Sequence, residues 1–87
     1  MAIQARIAAP SNTDDARSIV DFLVGNLNRN HEIVRDSLRE WDQNGCHLFA
    51  QALKGCHYYD HGNVLGQALR NLANTAIMRE HRLAARA

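Results

Sequence analysis

Residues 62–85 read GNVLGQALRNLANTAIMREHRLAA, and the spacing within them decides the fold. Leu65, Ala68, Leu69, Leu72 and Ala76 recur every three or four residues, which puts one apolar stripe along an α-helix. Leu83 rejoins the stripe after Arg79 and Glu80 interrupt it. A helix over 62–85 is about 36 Å long at 1.5 Å per residue. A compact domain of 87 residues is only about 31 Å across. The helix is therefore expected to overhang its own core or to cross the full width of it. Ile77 and Met78 lie off the stripe and are expected to face outward.

Working back along the chain, Leu48, Phe49, Ala52 and Leu53 predict a short helix over 46–54 that ends at Lys54-Gly55. The stretch Cys56–His61 (CHYYDH), bounded by Gly55 and Gly62, reads as a connection. Ile33, Val34, Leu38 and Trp41 share one face of a helix over 31–43, capped by Asn30 and stopped at Asn44-Gly45. Ile19, Val20, Leu23 and Leu27 mark a first helix over 13–28. Ser11, Asn12 and Thr13 offer its cap, Asp14 and Asp15 suit its positive end, and Asn28-Arg29-Asn30 closes it. Residues 1–10 end in the only proline and read as a loose or extended, flexible N-terminal arm. No strand is expected after residue 10. The expectation is all-α: an arm over 1–10, then a single domain over 11–87 built as a small bundle of about four helices.

Composition narrows the function classes. At 87 residues a second core is excluded, and ordinary glycine, proline and charge contents argue against disorder. No apolar run exceeds three residues, which excludes a membrane-spanning helix and a secretory leader. Ten Lys and Arg against nine Asp and Glu leave a net charge of +1, no global attraction to nucleic acid or anionic membrane. The charge is nevertheless uneven. Residues 31–45 carry Glu32, Asp36, Glu40 and Asp42 against Arg35 and Arg39, and residues 70–87 carry Arg70, Arg79, Arg82 and Arg86 against Glu80. Glu40 and Asp42 fall at the unfavourable end of the expected second helix, so the acidic stretch is expected to meet the basic tail, within the chain or across a dimer.

Cys46, His47, Cys56, His57 and His61 are the residue types that bind zinc, but their spacing is not that of a site. A helix between the two cysteines holds them about 15 Å apart, too far for a disulfide or a shared metal, and no Cys-x-x-Cys pair is present. Cys46 reads as a buried structural thiol. His57 and His61 share a face only if the connection between them is helical. No metal and no cofactor is expected. Free thiols without a disulfide framework fit a reducing cytoplasm. Cys56 beside His57, and Asp60 beside His61, lack the geometry of a nucleophile and its base, and no glycine-rich phosphate loop occurs. The chain reads as a non-enzyme.

Two binding readings follow. Tyr58 and Tyr59 stand on a glycine-bounded connection, and Phe22, Ile77 and Met78 lie off the helical stripes. With Arg79 and Arg82 they form a candidate protein interface, since tyrosine brings large area with a polar tip. Trp41 is assigned to the core. The first reading is a cytoplasmic regulator, inhibitor or accessory subunit that binds another protein as a homodimer built partly on the last helix. The alternative is a DNA-binding regulator resembling a helix-turn-helix. There Asn63, Gln67, Arg70 and Asn74, within about 60° of one another, would read base edges. Its drawbacks are a seven-residue connection from Gly55 to His61 and few cations near that face.

Overall fold

The computed structural model describes residues 6–86 and contains four helices: α1 Thr13–Gly25, α2 Leu27–Leu38, α3 Gln43–Lys54 and α4 Val64–Ala85. Among the described residues there is no strand, and no helix is long and apolar enough to cross a membrane. α3 packs most closely on α4, α1 lies across α3, and α2 touches α1 and α4. The core gathers Leu23, Val34, Leu38, Trp41, Phe49, Leu53, Leu69 and Leu72. Full burial of one such side chain stabilises the fold by about 1.5–3 kcal/mol.

The cap of α1 is Asn12, whose Oδ1 accepts the Asp15 N–H at 2.8 Å. The first boundary differs from the expected one. The chain breaks at Asn26, in non-helical backbone, and Asn26 itself caps α2. Asn28–Asn30 are helical and do not end α1. Asn30 is buried, and its side-chain amide donates to the Phe22 carbonyl at 2.7 Å. It thereby satisfies one of the carbonyls that the end of a helix leaves without an intrahelical partner.

The α2–α3 boundary is also displaced. α2 stops at Leu38, and two tight turns follow through the Glu40 and Trp41 N–H groups. Asp42 starts α3 by accepting the Gly45 N–H at 2.8 Å, so it is a favourable helix cap rather than a misplaced terminal charge. Asn44-Gly45 stops nothing. Gly45 lies inside α3, where a Cβ would come 2.8 Å from the Ala9 side chain. Trp41 is in the core as assigned, but from the loop between helices rather than from a helical stripe.

Part of the expected loose arm is docked. The Ile7 N–H donates to Ser37 Oγ at 2.9 Å, and the Ile7 carbonyl accepts from Trp41 Nε1 at 2.8 Å. Pro10 is buried. Residues 1–5 of the arm lie outside the described residues. Ala76 is the last fully buried residue of α4, and Ile77, Arg79, Glu80 and Leu83 beyond it are half-buried.

Gly66, in the first turn of α4, is required by a close approach. A Cβ there would overlap the His61 carbonyl of the preceding connection. Gly66→Ala should therefore destabilise the protein by about 1–3 kcal/mol, although alanine favours helix by about 1 kcal/mol over glycine. Urea denaturation followed by circular dichroism measures this, and a neutral or stabilised variant would mean that the connection yields freely.

Candidate functional site

The connection after α3 winds in consecutive turns, with the Tyr59 N–H on the Cys56 carbonyl and the His61 N–H on the Tyr58 carbonyl. That winding gathers His57, Tyr58 and His61 on one side. Their rings meet edge to face, at centroid distances of 5.1 Å for His57–Tyr58, 5.1 Å for His57–His61 and 5.3 Å for Tyr58–His61. Arg70 holds this loop from α4, donating through Nη1 to the Tyr59 carbonyl at 2.7 Å and the His61 carbonyl at 2.9 Å.

Tyr58 and His57 stand at the end of an open groove of about 430 Å³ between α1 and α3. Val20, Leu48 and Ala52 give the groove an apolar strip, and Arg17 and Asp21 on α1 supply one charge of each sign. Gly55 and Cys56 complete the end wall. No sequence signal pointed to Arg17 or Asp21, because only the crossing of α1 over α3 makes them groove residues.

The residues read as an interface separate into distinct places. Tyr58 is 38% exposed and lines the groove, whereas Tyr59 is half-buried and packs against the core. Phe22, 42% exposed, lines a small apolar depression with Ile7, Ser18 and Ile19. Ile77 is half-buried against the core, and Met78 is 63% exposed. Met78, Arg79 and Arg82 do come together, in a depression that also takes in Leu38 and Arg39.

Among the described residues, the acidic stretch forms no ion pair with the basic tail. Glu40 pairs with Arg6 at 3.5 Å, Asp36 with its neighbour Arg35 at 3.6 Å, and Asp42 caps α3. Arg79 instead donates through Nε to the Trp41 carbonyl at 3.0 Å, and Glu80 faces His47 at 3.1 Å.

The four residues of the DNA-reading face largely have partners of their own. Asn63 caps α4 through the Gly66 N–H, Gln67 donates to Asn71, and Arg70 is engaged with the two loop carbonyls. Asn74 is exposed.

Cys46 and Cys56 are both free thiols, the first buried and the second half-buried. Among the described residues no three His, Cys, Asp or Glu side chains gather as a metal would require. Burial pushes the Cys46 thiol above its ordinary range, and the nearby Arg79 charge only partly offsets this. A raised folded-state value means that the native state keeps this proton where the unfolded chain releases it. The Cys46 contribution to stability is thus complete below the ordinary thiol range, about 8.5, and is lost as pH rises above it. Urea midpoints across that range should fall with pH, and Cys46→Ala should flatten the decline. An unchanged slope in the variant would assign the decline to other groups.

Comparison of the chain with protein-family models, with curated proteins and with solved structures gave no match.

Proposed function

We propose that this chain is a non-enzymatic protein-binding module, a regulator, inhibitor or accessory subunit that docks a segment of another protein between α1 and α3. The observation that carries this reading is the exposed Tyr58 ring. It is braced edge to face by His57 and His61 and stands at the end of a groove with an apolar strip. A ring already held in place loses little conformational freedom when a partner covers it, so more of its contact area is realised as affinity. A helix laid in the groove would set its apolar side on Val20, Leu48 and Ala52 and its rim against Arg17 and Asp21. The DNA alternative has less support, because Arg70, its principal cation, is committed to the Tyr59 and His61 carbonyls. The two free thiols suit a cytoplasmic setting.

The distal part of α4 is where two copies would pair. Ile77 and Ala84 fall within about 20° of each other around the helix, some 140° from Arg82. Ala84 is exposed, and the helix has no buried residue beyond Ala76. Sedimentation at micromolar concentration should therefore give a dimer, and Ala84→Glu, at an exposed position, a monomer of unchanged helicity. A monomeric wild type would retire the pairing.

A crosslinker placed at position 58 should capture the docking partner from cells of the native host. Tyr58→Ala should then weaken binding of that partner by at least about tenfold with helicity retained. Tyr59→Ala should lower the melting temperature instead, because that ring packs against the core. Undiminished binding by Tyr58→Ala would remove the groove from consideration.

A further inference from the structure

Arg39 at the end of α2 and Arg79 and Arg82 on α4 line one open depression of about 310 Å³, with Leu38, Thr75 and Met78. Arg79 is fixed from behind, since its Nε donates to the Trp41 carbonyl at 3.0 Å. Arg39 and Arg82 are exposed. The carboxylates nearest to them in the chain are turned to other partners: Asp36 to Arg35, Glu40 to Arg6 and Glu80 to His47. None of the three arginines forms an ion pair among the described residues. Three like charges thus share one concavity with no carboxylate among its described lining residues, an arrangement that an anionic occupant relieves. The concavity also carries one accessible apolar side chain, Met78, which is 63% exposed.

We propose that this depression docks an acidic segment of a partner protein, one carrying an aliphatic side chain between its carboxylates. Guanidinium groups grip carboxylates through paired, charge-assisted hydrogen bonds, and arginine and methionine are both enriched at protein interfaces. Nucleic acid suits the surface less well. No aromatic side chain lines the depression for base stacking. Its charge is gathered at one spot rather than laid along a track of phosphates, and a sugar-phosphate backbone would leave the methionine unused. The site shares no lining residue with the α1–α3 groove, so it stands or falls separately from the docking proposed there.

The test titrates the full chain with three labelled probes at about 50 and about 300 mM salt. They are a peptide of about twelve residues made of Asp, Glu and Leu, the same peptide with Ser for Leu, and a single-stranded oligonucleotide of similar charge. The leucine peptide should bind at low salt, weaken at high salt, and outcompete both other probes. Arg39→Ala with Arg82→Ala, and separately Arg82→Glu, should reduce its affinity by at least about tenfold with unchanged helicity, while Tyr58→Ala should leave it intact. Peptide binding undiminished in both arginine variants would overturn the proposal, as would failure of every probe to bind. Equal or tighter oligonucleotide binding would make this a nucleic-acid surface and overturn it too. Self-association lost in the arginine variants, with no peptide binding in the wild type, would assign the depression to a second copy and overturn it likewise.

Discussion

Trp41 joins four parts of the molecule through one residue. Its ring packs edge to face on Phe49 of α3 at 5.3 Å, its Nε1 donates to the Ile7 carbonyl of the arm, and its own carbonyl accepts from Arg79 of α4. It leaves α2 through a turn in which its N–H donates to the Leu38 carbonyl. A buried indole N–H needs a partner, and here the partner is a backbone carbonyl of a segment without secondary structure. The docked arm therefore meets a polar requirement of the core, while Ser37 meets the matching requirement of the Ile7 N–H. Arg79, held by the same residue, brings the basic end of α4 back over the end of α2.

A second constraint acts at the opposite end of α3. The Cys56–His61 connection has no core of its own, yet its aromatic side chains keep a defined arrangement. Gly66 allows the His61 carbonyl to approach α4 closely, and Arg70 binds that carbonyl together with the one from Tyr59. An arginine that looks like a ligand-binding group in sequence thus serves as a clamp on backbone. The exposed rings of His57 and Tyr58 are the other side of that clamp. The two constraints divide the molecule into a Trp41 end, where Arg39, Arg79 and Arg82 collect, and a connection end, where the rings of His57, Tyr58 and His61 collect.

Helix number, helix type and most of the core were legible because apolar spacing carries them directly. Ile19, Val20 and Leu23, then Leu48, Phe49 and Leu53, then Leu69 and Leu72 can be read at helical intervals without knowledge of their partners. The boundaries at Asn26 and Asp42 were not legible. Asn28, Asn30, Asn44 and Gly45 are breaker types within helices: Asn28 and Asn44 lie exposed in first turns, and at Asn30 and Gly45 tertiary contacts override local preference. Asn30 finds the Phe22 carbonyl and Gly45 finds Ala9, contacts that no single-sequence pattern announces. The candidate surfaces divide in the same way. Met78 was visible as an apolar residue off its stripe and Tyr58 as an aromatic residue on a glycine-bounded connection, whereas Arg39 joins Arg79 and Arg82 only because the end of α2 lies beside α4. The partnership of Arg70 with two carbonyls depends equally on the path of a loop.

The docking of Ile7 has a bearing on how the chain assembles as it is made. Its two bonds reach residues 37 and 41, thirty and thirty-four positions later, and the Trp41 carbonyl waits a further thirty-eight for Arg79. α3 and α4, by contrast, are separated by a short connection and share the most extensive contact, so loop closure favours them as the earliest pair. A segment that precedes all four helices thus docks only once residues thirty and more positions later are in place. Until then the indole N–H stays hydrated, and the nascent domain lacks the bolt that locks its two ends together.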